Sequence, residues 1–216
     1  MKRKTLNNST QWSNKKIKLA ILVPSRDYVS SHFTYCLAQL MKTSSETGLD
    51  VFLYMDSGTI LLNQRENLIN RAKEINADYV LWLDSDMIFP PTTALRLLAH
   101  NKDIVACNYM KRTKPFTTVA YTDIKDWNSW VPLKRYDDLL EVEGVGMGCM
   151  LMNAKVFELI DKPYFQFTYS ESTGDWIGED FSVLEKFRKK NISVYIDTVL
   201  SIEIKHVGIQ AFGVKS

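Results

Sequence analysis

Short apolar runs alternate with segments of helical periodicity in the first half of the chain. The runs are rich in β-branched residues and lack polar alternation, so each one predicts a strand that is buried on both faces. These predicted strands are 17–23, 51–55, 79–83 and 103–107. Apolar residues at helical spacing predict helices over 30–42 and 61–75 and after Pro90-Pro91. The alternation indicates an α/β fold whose mostly parallel sheet is flanked by helices.

The second half of the chain has a different pattern. Segments 116–121, 139–142 and 149–152 look like strands with no helix between them. A short helix is predicted over 181–190, followed by a late strand over 193–196. Strands joined without crossover helices are antiparallel neighbours, so we expect a mixed sheet rather than a purely parallel one.

Length and composition predict one domain preceded by a tail. The chain has 216 residues, of which 45% are hydrophobic and 24% charged, as in an ordinary globular protein. Lys2, Arg3, Lys4, Lys15 and Lys16 lie in a polar stretch, so residues 1–16 are predicted to be a solvated, flexible, basic tail. An arm that binds lipid or a polyanion is the alternative. The domain is predicted over 17–216.

Charge, hydropathy and cysteine content limit the classes of partner and compartment. The net charge of +2 is too small to predict a nucleic-acid partner. The sequence contains neither a transmembrane segment nor the apolar core of a secretory signal. Cys36, Cys107 and Cys149 are odd in number and widely spaced, which argues against a disulfide framework and for a reducing compartment. We therefore expect a cytoplasmic protein. Its oligomeric state is not indicated.

Polar residues follow three of the predicted strands. They are Ser25-Arg26-Asp27, Asp56-Ser57 and Asp84-Ser85-Asp86. Ligands of open α/β sheets bind at the carboxyl ends of strands, so these segments are candidates for one site. Residues two apart on an extended segment face the same side, so Asp84 and Asp86 could approach one hard divalent cation. A solvated turn that carries two acids is the alternative.

The order of several motifs resembles the GT-A fold glycosyltransferases, especially the short single-domain enzymes of large algal DNA viruses and phages. The similarity extends over about residues 17–208, and each segment is only moderately specific by itself. LWLDSDMIFPP resembles their Asp-X-Asp segment and VPSRDY their nucleotide-binding loop. The other matching segments are Asn63 to Asn67, Gly144 to Leu151, Gly178-Glu179-Asp180 and His206-Val207-Gly208.

The resemblance implies a metal-dependent transfer of a sugar, most simply a hexose from a UDP-sugar, to an acceptor glycan or glycoprotein. It implies a metal site of Asp84, Asp86 and His206, where Asp84 binds either the metal or the ribose. Oxygen and imidazole ligands together favour Mn²⁺ over Mg²⁺. The implied donor-binding residues are Pro24, Ser25, Arg26, Asp56, Arg65, Asp84, Ser85 and Gly146. For a viral enzyme the compartment would be the host cytoplasm.

The acidic motif Gly178-Glu179-Asp180 predicts the catalytic groups. Asp180 is the expected general base for the acceptor hydroxyl, and Glu179 is expected to contact substrate hydroxyls. We expect the helix dipole to keep Asp180 ionised. The alternative is an acidic first turn that only caps the helix. The stereochemistry of transfer, inverting or retaining, stays open.

Each remaining candidate has a structural alternative. Arg65 could be an exposed helix arginine, Asp56 a turn residue, and His206 a surface histidine. The glycines from Gly144 to Gly148 do not form a dinucleotide-binding pattern and could mark a β-bulge without a ligand. Among the many aromatic residues of the second half, only Trp176 is a weak candidate for stacking on a sugar.

Three other functions use the same features. A phosphohydrolase with an Asp-X-Asp nucleophile would carry the pair after its first strand, and Ile88 stands where such enzymes have Thr or Val. A nucleotidyltransferase would need a glycine-rich loop after the first strand, and 24–32 contains no glycine. A non-catalytic module would bind the nucleotide sugar without turnover.

Overall fold

The computed structural model of the chain describes residues 16–126, 128–171 and 174–208. In chain order its strands are β1 (Lys18–Ser25), β2 (Asp50–Ser57), β3 (Tyr79–Leu83), β4 (Met87–Ile88), β5 (Ile104–Ala106), β6 (Ala120–Tyr121), β7 (Leu139–Val142), β8 (Gly144–Val145), β9 (Cys149–Asn153), β10 (Thr168–Ser170), β11 (Asp175–Ile177), β12 (Val194–Asp197) and β13 (Lys205–His206). The helices are α1 (Ser31–Glu46), α2 (Leu61–Glu74), α3 (Thr93–Ala99), α4 (Glu179–Arg188) and α5 (Thr198–Ser201), with a 3-10 helix over Ala154–Glu158.

A seven-stranded sheet forms the centre of the single domain, in the order β2-β1-β3-β9-β5-β12-β7. Strands β2, β1 and β3 are parallel, as are β5 and β12, whereas β9 and β7 pair antiparallel with their neighbours. Both sequence expectations, a mostly parallel sheet and a mixed second half, are therefore confirmed. The small pairs β4–β13, β6–β8 and β10–β11 lie outside this sheet.

The apolar strands form the core because their side chains are covered on both faces. Leu19 to Val23 of β1 and Val80 to Leu83 of β3 have no solvent exposure. Helix α1 begins where predicted, since the Ser30 hydroxyl caps it by accepting from Phe33 N at 3.1 Å. Because β1, β2 and β3 are parallel neighbours, they end at the same edge of the sheet. The polar residues that follow them therefore lie close together.

The structure corrects several boundaries. Only Ala120 and Tyr121 of the predicted strand 116–121 are in a strand. The preceding residues pair locally instead, because Lys111 N donates to Thr117 O and Thr118 bridges to Met110. Helix α4 begins two residues earlier than expected, at Glu179, so both candidate acids lie in its first turn.

Two of the three cysteines are neighbours in space despite their separation in sequence. Cys107 and Cys149 are buried free thiols with sulfur atoms 3.7 Å apart. Within the described ranges, no helix is long and apolar enough to cross a membrane. Nearly all of the predicted basic tail, residues 1–15, lies outside the described residues.

Candidate functional site

The ends of β1 and β2 are held together by a side chain from α2. Gln64 Nε2 donates to the carbonyl oxygens of Ser25, at 2.5 Å, and Asp56, at 2.8 Å. The hydroxyls of Ser25 and Ser57 are 3.2 Å apart. The structure therefore brings Ser25 and Asp56 to one place, as the nucleotide-site prediction requires. Pro24 beside them is buried, and Arg26 is exposed.

A buried arginine connects β3 with α4. Arg65 is 2% exposed, so the prediction's alternative of an exposed helix arginine is wrong. Its Nε lies 3.3 Å from Glu179 Oε1, and its Nη2 lies 3.4 Å from Asp84 Oδ1. Its guanidinium carbon is 5.3 Å from the centroid of the Trp82 ring. We call Arg65, Asp84, Glu179 and Asp180 the inner cluster.

One nitrogen of this arginine is unused within the described part of the chain. Arg65 Nη1 is buried and has no hydrogen-bond partner there. A buried guanidinium N–H without an acceptor is costly. The inner cluster therefore offers one unsatisfied donor in addition to the two that hold Asp84 and Glu179.

Burial shifts the carboxyl pKa values of the inner cluster. It raises the pKa of Asp84, although Arg65 opposes the shift. Burial, and then the charge of Glu179, raise the pKa of Asp180 to about 7. The expectation that the helix dipole holds Asp180 ionised is wrong, because desolvation outweighs it. A carboxyl with a pKa near neutrality can take up and release a proton at physiological pH.

Glu179 also has a partner within the protein. This residue is buried, and its carboxylate is bound to Arg65. It orients the arginine between β3 and α4, and its predicted contact with substrate hydroxyls stays a prediction.

A second group of charges lies on the other side of Ser85. Asp86 Oδ1 lies 3.4 Å from His206 Nε2, and Asp86 Oδ2 lies 2.6 Å from Arg112 Nη1. Strand β13 carries His206 there by pairing antiparallel with β4, and Val207 N donates to Asp86 O at 2.8 Å. We call Asp86, Arg112 and His206 the outer cluster. Ser85 itself is half-buried between the two clusters.

The hydrogen bonds of His206 leave one ring nitrogen facing Asp86. Its Nδ1 lies 3.1 Å from the carbonyl oxygen of Met110, so Nδ1 carries a proton. Nε2 then points at the carboxylate with either a second proton or a lone pair. Burial alone would raise the pKa of Asp86, but the hydrogen bond and charge of His206, with Arg112, lower it below its ordinary value. The pair thus needs a cation, either a proton or a metal ion.

The donor set supplies part of the ligands that a divalent ion requires. Asp86 and His206 offer adjacent oxygen and imidazole donors, and the charges of both act on the pKa of the nearby Asp84. In the ranges that the structure describes, no group of three or more His, Cys, Asp and Glu side chains is placed to hold a metal ion alone. Ions that bind nucleotides commonly use one or two carboxylates plus phosphates.

The glycine run packs against a tyrosine that the sequence interpretation missed. The hydroxyl of Tyr109 accepts from Gly148 N at 2.9 Å. A Cβ at Gly148 would lie 2.4 Å from that hydroxyl oxygen and 3.1 Å from Asp84 Oδ2, and one at Gly146 would lie 2.8 Å from the hydroxyl. The close approach at these glycines is therefore made by Tyr109. The predicted donor contact at Gly146 stays a prediction.

Tyr109 connects the two clusters. Burial, and then the charges of Asp84 and Asp180, raise its pKa well above the usual tyrosine value. Its ring also packs edge-on against His206, with centroids 5.3 Å apart. The hydroxyl therefore stays neutral, and it borders the site as a group that can form hydrogen bonds. Its position after β5, at a strand end, is the sequence signal that could have indicated it.

The aromatic residues of the second half divide into core and surface. Tyr164 and Phe165 are buried. Trp176 is 64% exposed and packs edge-on against Tyr169 on the β10–β11 pair, which leads directly into α4. Trp127 lies outside the described residues.

Comparison with known proteins yields a fold similarity alone. Neither a protein-family model nor a curated protein matches this chain. Among solved structures, 142 chains are similar to it. One of them, A197 from STIV, is 15% identical in sequence with a TM-score of 0.52, over 93% of this chain and 98% of that chain. At this level of identity the similarity shows a shared α/β architecture.

Proposed function

We propose that this chain is a metal-dependent glycosyltransferase of the GT-A fold that uses a nucleotide sugar, most simply a UDP-hexose. One observation supports the proposal most strongly. Two carboxylates at the carboxyl end of β3, Asp84 and Asp86, lie between a histidine from β13 and a buried arginine from α2. Two further acids, Glu179 and Asp180 of α4, lie beside Arg65 and Asp84. The order of these segments along the chain is the order in which they occur in GT-A enzymes.

Asp86 and His206 are the proposed metal ligands, and Asp84 contributes a third carboxylate or contacts the ribose. A divalent ion bound there would neutralise charge on the departing diphosphate as the glycosidic bond breaks. Arg65 holds Asp84 in place, and its unused Nη1 offers a donor towards an anionic ligand.

The nucleoside is proposed to bind where β1 and β2 end. Gln64 fixes the backbone of Ser25 and Asp56, so both positions are preorganised. The Asp56 carboxylate would accept from the ring N–H of uracil, and Pro24, Ser25 and Arg26 would line the base and ribose. Ser85 lies between the two clusters, where it could contact the donor.

Asp180 is the proposed general base for the acceptor, which would be a hydroxyl of a glycan or glycoprotein. A sugar hydroxyl is a poor nucleophile, and a carboxylate with a pKa near 7 is suited to removing its proton. The three free cysteines agree with a reducing compartment, so we place the activity in the cytoplasm, of a host cell if the chain is viral.

A screen of nucleotide sugars tests this function directly. UDP at about 100 times its Kd should stabilise the fold by roughly 2.7 kcal/mol, a rise in melting temperature on the order of 5–10 °C. The rise should require Mn²⁺ and disappear in Asp86→Asn. Asp138→Asn, which changes an exposed aspartate, is the matched control and should behave as wild type.

Other outcomes would separate the alternatives. Full sugar transfer in the presence of a chelator would exclude the metal site. Stronger stabilisation by ADP or GDP than by UDP would exclude the uracil contact of Asp56. Release of phosphate without sugar transfer would instead identify a phosphohydrolase, and donor binding without turnover a binding module.

A further inference from the structure

Arg112 is the part of the outer cluster that the proposed function leaves unexplained. It follows β5 and reaches across to β3, where its Nη1 lies 2.6 Å from Asp86 Oδ2. The same nitrogen donates to Val207 O at 3.3 Å, beside His206. The arginine thus contacts one proposed metal ligand and the neighbour of the other.

A divalent cation and Arg112 would compete for the same carboxylate. Asp86 has two oxygens, one facing His206 and the other facing Arg112. A metal ion on Asp86 and His206 would bring two positive charges next to the guanidinium. Like charges at such separations repel, and the carboxylate can no longer compensate both. Binding of the ion therefore favours release of Arg112.

The release of Arg112 is energetically cheap. Its side chain is 47% exposed, so water can solvate the released guanidinium, and Asp86, which is 29% exposed, keeps its contact with His206. The neighbouring Lys111 is differently placed, since its ammonium contacts the hydroxyl and the ring of Tyr121. Unlike Lys111, Arg112 can therefore change partner with little loss.

A diphosphate is the ligand that a released Arg112 would fit. The planar guanidinium matches two phosphate oxygens, and charge-assisted hydrogen bonds to phosphate are stronger than its exposed contact with Asp86. Building on the proposed function, we propose that Arg112 exchanges Asp86 for the diphosphate of the donor when the metal binds. Arg112 then weakens the binding of the metal alone and strengthens the binding of the metal together with the nucleotide. The two ligands therefore bind cooperatively.

The exchange predicts shifts of opposite sign in one variant. Arg112→Ala should bind Mn²⁺ alone roughly 2- to 5-fold more tightly than wild type, because the competing cation is gone. With Mn²⁺ saturating, the same variant should bind UDP roughly 10- to 100-fold more weakly. Mn²⁺ binding can be followed by electron paramagnetic resonance and UDP binding by calorimetry, both without turnover.

Arg135→Ala is the control for the change in net charge. Arg135 is an exposed arginine paired with Asp138 at 3.8 Å, and its replacement should leave both affinities unchanged. If Arg112→Ala weakens Mn²⁺ binding, or if both affinities shift in the same direction, the arginine only positions Asp86 and the exchange is wrong. If wild type binds neither Mn²⁺ nor UDP, the proposed function fails as well.

Discussion

The inner and outer clusters each pair an arginine with one aspartate of Asp84-Ser85-Asp86, and the two aspartates are similarly exposed, yet the two arginines differ in burial. The Arg65 side chain is 3% exposed, and its contacts with Asp84 and Glu179 are 3.4 and 3.3 Å long. The contact between Arg112 and Asp86 is shorter, at 2.6 Å, but that arginine is half-exposed. Distance alone would rank the outer pair as the stronger one. Solvation reverses the ranking, because water replaces the partner of an exposed charge and cannot replace that of a buried one.

This difference suggests that the inner and outer clusters, which lie on the two sides of Ser85, have different roles. The inner cluster is costly to disrupt, so it can hold reacting groups in fixed positions. The outer cluster exchanges partners at little cost, so it can respond to ligands. Substitutions in the two clusters can test this difference, and those in the inner cluster should have the larger effects.

Arg65→Ala should give the largest effect. It leaves the buried Glu179, and Asp84 with a side chain that is 32% exposed, without their shared cation, which costs about 3–5 kcal/mol of unfolding free energy. Urea unfolding measures this loss, and nucleotide binding should weaken in parallel. Arg71→Ala, on the exposed face of the same helix, should cost less than about 1 kcal/mol although it removes a contact with the Tyr54 ring. Equal losses in the two variants would contradict the role assigned to burial.

Asp180→Asn should raise the barrier to sugar transfer by about as much free energy as Arg65→Ala removes from stability, and its fold should survive. Removal of a general base lowers the rate roughly 10²- to 10⁴-fold, or about 3–5 kcal/mol of barrier. Donor binding in calorimetry should stay close to wild type. The transfer rate of wild type should rise with pH through about 7, as Asp180 loses its proton. Near wild-type transfer by the variant would favour a retaining mechanism without a protein base.

The same substitution should have a smaller, pH-dependent effect on stability. Asp180 keeps its proton in the folded state up to about pH 7, whereas an unfolded chain ionises it near 3.8. The charges that act on the pKa of Asp180 are those of Glu179, Arg65 and Asp84. The charge of Asp180 in turn helps to raise the pKa of Tyr109. Unfolding therefore becomes easier for wild type as pH rises through this window.

Asp180→Asn lacks that penalty, so it should be more stable than wild type at pH 8, on the order of 1–3 kcal/mol. The advantage should disappear towards pH 4. Thermal melts at both pH values measure it, and the burial argument would fail if the variant melted below wild type at pH 8. From its sequence position alone, this variant would be expected to melt near wild type.

Arg112→Ala should have the smallest effect on stability. Loss of an exposed ion pair costs about 0–1 kcal/mol, so its melting temperature should stay within roughly 2–4 °C of wild type in the absence of ligands. A loss as large as that of Arg65→Ala would mean that both clusters are equally fixed.

The sequence predicted the framework well because burial leaves a local pattern. The bounds of β3 and β7 agree with their predictions. For β3 the reason is that a continuous apolar run between polar segments allows few alternatives. The prediction of a strand before β6 was wrong, because this stretch is ordered by individual hydrogen bonds that leave no periodic pattern: Lys111 N donates to Thr117 O, and Thr118 Oγ1 donates to the Val131 carbonyl.

The candidate site was only partly predictable, because local sequence patterns do not report contacts between distant segments. Asp84, Asp86 and His206 could be selected by motif and position, and the structure brings Asp86 and His206 together. The pKa of Asp180 depends on burial that no local pattern reports. Arg112 acts through contacts with distant segments and gave no local signal, whereas the position of Tyr109 after β5 was a signal that the sequence interpretation did not use.

The pairing of β13 with β4 also determines when the outer cluster can exist. Asp86 precedes His206 in the chain, and His206 lies in the last described strand. During synthesis the carboxylates are therefore made before the imidazole that faces them, and the two can meet only after β13 has been made. Metal binding by the outer cluster would consequently require a chain that has been synthesised through β13, and shorter nascent chains would lack the imidazole ligand.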